Sequence, residues 1–215
     1  MILKSFGCSF IFGTDLHDDG RHLRRPTASQ HTWPALIAKK RSWEYRCCAR
    51  GGSGNTQISE RVLSQVALNE TAFFIVGWTW IDRFDYTSGE RDAWSTVMPI
   101  DTDEKAKIYY RDLHSQFRDK FTSLCAIKLA IDSLKQKNLP FLMTYMDDLL
   151  FETEWHTSPA IMDLQNYVRP YLTNFQEKNF VEWSQDQGFE ISATMHPLEP
   201  AHAAAAELMD PMVKL

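Results

Sequence analysis

Hydrophobic and polar positions along the chain alternate between strand-like and helix-like runs. Met1 to Phe6 is a strand-length apolar run that stops at Gly7-Cys8-Ser9-Phe10, a glycine turn with a serine at its tip. Thr14 to His31 is polar and rich in Asp, His and Arg. Thr32 to Ala38 predicts a short helix, with Thr32 as cap and Pro34 tolerated in its first turn. Trp43 to Ala49 predicts a second strand, ending in Arg50-Gly51-Gly52-Ser53-Gly54. Beyond it Ile58, Val62, Leu63, Val66 and Leu68 keep approximate helical spacing. Ala72 to Val76 is continuously apolar, as in a parallel strand covered on both faces. Trp78 to Asp103 shows no period and many aromatics, which predicts a long loop or small insertion near 78–103. Glu104 to Lys137 predicts one long helix. Its stripe of Ile108, Leu113, Phe117, Phe121, Leu124, Ile127, Ile131 and Leu134 is spaced to face the core. A strand over Phe141 to Met146, a helix over Ile161 to Arg169, a helical turn at Phe180 to Trp183 and an alanine-rich helix from near Pro200 complete the pattern.

Strands alternating with helices predict an α/β fold, a three-layer parallel sheet in one domain spanning 1–215. Ligands in such folds bind at the carboxyl ends of the strands. Ser9, Gly54 and Thr79 each follow a predicted strand, so they are expected on one edge.

Composition narrows the function classes. The net charge of −5 lacks the basic footprint that nucleic acid requires. No apolar run approaches the roughly 18 residues of a membrane span, and the N-terminus has no signal-peptide pattern. The expected location is therefore cytoplasmic, or a virion if the chain is phage-borne. The four cysteines have no C-x-x-C spacing, so free thiols are expected. His17, Asp18, Asp19 and His22 match no tetrahedral metal site and read as a solvated loop. No metal and no cofactor are expected.

Ser9 offers a hydroxyl at a strand-to-helix corner, and His196-Pro197 lies just before the last helix. A serine nucleophile needs a base, donors aimed at the developing oxyanion, and a group that fixes the tautomer of the base. Ser9 is the candidate nucleophile and His196 the candidate base. The Ser9 and Gly54 backbone N–H groups and the Thr79 hydroxyl are the candidate oxyanion donors. Trp78, Trp80 and Arg83 are candidate substrate contacts, alongside Phe84, Tyr86 and Trp94 as an aromatic groove. Cys8 is expected to point into the fold.

These blocks resemble the SGNH (GDSL-type) hydrolases. Gly7-Cys8-Ser9-Phe10 stands at the family's first block, Gly54 at the second, Gly77-Trp78-Thr79-Trp80 at the third and Ala193-Thr194-Met195-His196-Pro197 at the fifth. The resemblance implies a flavodoxin-like sheet of about five parallel strands and ester hydrolysis, with His196 as base and His202 structural. Two positions depart from the family pattern. Thr79 replaces the oxyanion asparagine, and Ala193 stands where the orienting aspartate is found. Asp186 and Glu190 are the nearest upstream acids, and a Ser9–His196 dyad is the reading without them. The expected activity is a serine esterase acting on a small acyl ester, carried by a small molecule or a glycan. The alternative is a non-catalytic glycan-binding or structural module that keeps the fold.

Overall fold

The computed structural model describes residues 1–87 and 93–215; residues 88–92, within the expected insertion, lie outside the described part. Five parallel strands form the central sheet: β1 (Ile2–Phe6), β2 (Glu44–Cys47), β3 (Ala72–Trp78), β6 (Phe141–Tyr145) and the short β7 (Leu172–Thr173). Their order is β2-β1-β3-β6-β7. In register, Ser5 faces Cys47 and Ile75, and Gly77 faces Thr144. The carboxyl ends of β2, β1 and β3 therefore lie side by side.

Two helical layers cover the sheet. On one face lie α1 (Ser9–Phe12), α2 (Trp33–Lys40), α7 (Phe180–Asp186) and α8 (Glu199–Met209), packed on Leu3, Phe73 and Ile75. On the other lie α3 (Asn55–Ala67), α5 (Gln116–Gln136) and α6 (Pro159–Val168), packed on Phe74, Val76 and Met143. Successive side chains of β3 thus enter opposite cores, which is why the strand reads as one unbroken apolar run. Lys4 also points inward. Its fully buried ammonium reaches the Gln65 amide at 2.9 Å and the Glu70 carboxylate at 2.5 Å.

The expected 78–103 insertion contains an antiparallel pair, β4 (Phe84–Thr87) and β5 (Trp94–Val97). The long helix expected over 104–137 is broken. α4 (Glu104–Ile108) runs into one π-helical turn at Tyr109–Leu113. His114 is then extended, and Ser115 caps α5 through its hydroxyl. The cause is a competing partner for the first segment. Tyr109 stacks on Phe84 at 4.3 Å, and the Tyr110 hydroxyl donates to the Asp82 carbonyl at 2.7 Å, so this segment packs on the hairpin. Only the second half of the expected stripe is core. Leu124, Ile127, Ile131 and Leu134 are fully buried, whereas Ile108, Leu113, Phe117 and Phe121 are 40%, 61%, 41% and 37% exposed. Thr32 begins α2 as expected but makes no capping bond; its hydroxyl lies 3.3 Å from the Tyr45 hydroxyl.

The β1–α1 corner is set by close approach. A Cβ on Gly7 would lie 2.6 Å from Ile11 Cγ1 and 2.9 Å from the Gly77 carbonyl, so only glycine lets α1 fold back onto the end of β3. Gly13, left-handed at φ 85°, ends α1 after one turn, and its N–H donates to the Ser9 carbonyl. Among the described residues, no helix is long and apolar enough to cross a membrane.

Candidate active site

Ser9 is the first residue of α1, after the Gly7-Cys8 corner beyond β1, and it lines a cavity of about 600 Å³. His196 lines the same cavity from the opposite end of the chain. A tight turn presents it: the Ser192 N–H donates to the His196 carbonyl at 2.8 Å, and the Met195 N–H to the Ser192 carbonyl at 3.0 Å. The imidazole is half-buried and lies against the Phe10 ring, with centroids 4.9 Å apart. Among the described residues no hydrogen bond joins Ser9 to His196. In unliganded sites such contacts often close only around substrate.

The group that orients His196 is Asp15, six residues after Ser9. Asp15 Oδ2 lies 3.1 Å from His196 Nδ1 and accepts the Ser192 hydroxyl at 2.7 Å. The Thr194 hydroxyl also donates to Asp15, and its oxygen lies 2.8 Å from His196 Nδ1. The other carboxylate oxygen takes Arg21 Nη2 at 2.5 Å. Burial alone would raise the Asp15 carboxyl. The bonds from Thr194, Ser192 and Arg21, with the nearby imidazole charge, outweigh it and hold the group well below the usual carboxylate range. His196 is pushed below its ordinary value, first by burial. Asp15 opposes that shift, while the Arg21 and Arg83 charges add to it. An ionised carboxylate at Nδ1 keeps the proton there, which leaves Nε2 as the free acceptor.

Asp186 and Glu190 do not serve as that acid. Asp186 pairs with Lys178 on the surface, and Glu190 offers its backbone carbonyl to the Leu198 N–H. The sequence carries little signal for Asp15, because it sits in a polar stretch and only the fold brings it to the 192–196 turn. His202 is buried in the core, with Nδ1 accepting the Trp33 N–H at 3.1 Å, a structural placement.

The expected oxyanion donors divide. The Ser9 backbone sits at the cavity. The Gly54 N–H does not serve the cavity; it donates to Asp85 Oδ1 at 2.9 Å. Gly51 and Gly52, three and two residues earlier, do line the cavity, and among the described residues their N–H groups have no protein acceptor. Gly52 is left-handed at φ 80°, which turns the backbone at the wall. The Thr79 hydroxyl, expected as an oxyanion donor, is buried, unpartnered and not on the cavity wall, while its backbone N–H donates to Asn55 Oδ1 at 2.9 Å. Trp78, expected in the substrate groove, is fully buried, with its indole N–H 3.4 Å from Met143 Sδ. It belongs to the α3–α5 core because it is the last residue of β3 on that face. Trp80 and Arg83 do line the cavity. The Arg83 guanidinium lies 4.9 Å from the centre of the Trp80 ring, and its Nη1 donates to the Ser53 carbonyl at 3.3 Å. Phe84 and Tyr86 pack in the hairpin cluster, and Trp94 faces a separate shallow cleft.

Away from this cavity, ligand atoms of His17, Asp18 and His31 all lie within 4.8 Å of one another, a set able to hold a divalent cation. His17 Nδ1 is also 2.9 Å from Glu199 Oε1. Asp19 and His22, read with His17 and Asp18 in the sequence, are not part of this group, and Asp19 pairs with Arg21 instead.

No family model and no curated protein matches the sequence. Solved structures do match in shape. A lipolytic protein of the G-D-S-L family from Desulfitobacterium hafniense aligns over 98% of both chains, with TM-score 0.51 and 9% identity. The esterase EstA from Pseudoalteromonas aligns over 97% of this chain and 93% of its own, at TM-score 0.54 and 9% identity. The acetyl xylan esterase Est2A from Butyrivibrio proteoclasticus aligns over 98% of this chain and 62% of its own, at TM-score 0.55 and 13% identity. What this chain shares with them is the fold: a five-stranded parallel α/β sheet, flanked by helices, with SGNH hydrolases as its structural neighbours.

Proposed function

We propose that the protein is a serine ester hydrolase in which Ser9, His196 and Asp15 act as a triad. The observation that carries this reading is the Asp15–His196 Nδ1 contact on a cavity whose wall also holds Ser9. Ser9 Oγ attacks the ester carbonyl carbon as His196 Nε2 takes its proton. The tetrahedral oxyanion is held by the Ser9 N–H and by the Gly51–Gly52 backbone, in the place first expected of Gly54. Collapse expels the alcohol, which takes the proton from His196, and water then hydrolyses the acyl-enzyme with His196 again as base. A small acyl group on a carbohydrate fits Trp80 in the cavity wall, and the acetyl xylan esterase among the structural neighbours supports the same substrate class. The non-catalytic alternative rests on two departures, the missing acid and the Thr79 replacement; Asp15, placed at the imidazole, speaks against the first.

The test is hydrolysis of p-nitrophenyl acetate together with labelling by a fluorophosphonate. The unsubstituted protein is expected to turn over the ester and take up one label. Ser9→Ala should lose both, with turnover down by about 10⁴-fold or more. Full activity in Ser9→Ala would end the proposal.

A further inference from the structure

The geometry points to an ester substrate that carries an anionic group, held by Arg50 and Arg83 beside the nucleophile; this rests on the esterase reading of the same cavity. The protein as a whole is acidic, at −5, yet among the described residues three arginines (Arg21, Arg50 and Arg83) line this cavity and no aspartate or glutamate does. Arg21 is neutralised by Asp15 and Asp19. Arg50 and Arg83 form no ion pair among the described residues. Arg83 is braced rather than neutralised, with its plane against Trp80 and one N–H on the Ser53 carbonyl.

A third guanidinium lies near them, with Asp85 and Glu60 opposing part of its charge. Arg61, half-buried under the 50–54 loop, donates to Ser53 Oγ at 3.2 Å and Gln57 Oε1 at 2.6 Å, both neutral acceptors. Burial first, and then the like charge of Arg50, push its guanidinium below its ordinary value, against the partial opposition of Glu60 and Asp85. Ser53 is thus bracketed by two guanidinium groups, with a third at the start of its loop and no paired carboxylate. Such a concentration of like charge is a cost to the fold that an incoming oxyanion relieves. The guanidinium fork matches a carboxylate or a phosphate in two hydrogen bonds. Away from the reacting groups the wall carries apolar side chains, among them Phe10, Trp80, Met98 and Ile100. The substrate class that fits has an uncharged body and one anionic substituent within reach of the ester carbonyl.

The experiment compares mono-p-nitrophenyl succinate with p-nitrophenyl butyrate, which have the same acyl chain length and differ in the terminal carboxylate. The expected ratio of kcat/KM, anionic over neutral, is about tenfold or more, and Arg83→Gln and Arg50→Gln are expected to lower it by about tenfold each. Arg83→Lys should restore part of the ratio, which excludes simple misfolding as its cause. Calorimetry of Ser9→Ala protein with succinate and with inorganic phosphate separates the two oxyanions: succinate binding alone assigns a carboxylate substrate, phosphate binding alone a phosphorylated one. A ratio near one, with neither anion bound, overturns the inference and leaves the esterase reading standing. Anion binding that is lost in Arg83→Gln, in a protein that hydrolyses neither ester, upholds the anion site and overturns the esterase.

Discussion

Asp15 shows how much a single side chain can carry when its own loop conformation is forced. It sits in the left-handed region at φ 69°, and its N–H donates to the Asp19 carboxylate, which points its own carboxylate toward the 192–196 turn. Three hydroxyl and guanidinium donors keep it ionised, so it can hold a proton on His196 Nδ1 without taking that proton. Asp15→Asn removes the charge and can present an amide N–H to Nδ1, which favours the wrong tautomer. Turnover of p-nitrophenyl acetate is expected to fall by about 10²–10⁴-fold. The sign of the pH effect follows from the imidazole. Asp15 raises the His196 pKa against burial, so its neutralisation should move the acidic limb of kcat/KM to lower pH. A pH–rate profile checks both parts. An unchanged limb with full activity would remove Asp15 from the site.

At the scale of elements, the site depends on how α3 is fixed to the end of β3. Asn55, the first residue of α3, is buried. It accepts the Thr79 N–H at 2.9 Å, donates to the Thr79 carbonyl at 3.1 Å and donates to Ser123 of α5 at 3.1 Å. One amide therefore ties together two helices and the strand end that precedes Trp80. Asn55→Ala strands the two backbone groups of Thr79 and should cost about 2–4 kcal/mol, read as a lower urea midpoint with an unchanged slope. Activity should fall as well, since the Trp80 wall loses its anchor. In the sequence Asn55 only follows the glycine loop that ends the second strand, with nothing to mark it as an anchor. What the pattern did reveal was the sheet: β1, β2, β3 and β6 are strand-length apolar or half-apolar runs, and their order placed Ser9 and the glycine loop at one rim. β7 is too short to leave a period. The β4–β5 hairpin was hidden by aromatics that serve a small local cluster. The break before α5 was hidden because Leu113 and Phe117 continue a helical spacing that the fold leaves exposed.

For the whole molecule, the two histidines at the C-terminal end set the same demand on pH, since both have to be neutral. In the proposed mechanism His196 starts neutral, takes the Ser9 proton and passes it to the leaving alcohol. His202 has to stay neutral for the fold, because its Nδ1 accepts the Trp33 N–H and its ring packs on Phe180 at 4.8 Å, which joins α8 to α2 and α7. Burial lowers its pKa to about 3, from an unperturbed 6.5. Between those values the unfolded chain binds a proton that the native state refuses. Stability is therefore full above about pH 6.5 and declines as pH falls toward 3, by up to about 4–5 kcal/mol from this one group. Asp15 contributes in the same direction at lower pH, since its depressed carboxyl favours the fold only while ionised. His202→Asn supplies an amide oxygen in the position of Nδ1 and cannot take up the proton. The expected result is some loss of stability at pH 7 from the smaller side chain, with a flatter decline between pH 6.5 and 4. Urea midpoints measured across that range for both proteins give the comparison. Parallel curves would show that the acid sensitivity of the fold lies elsewhere than in this buried ring.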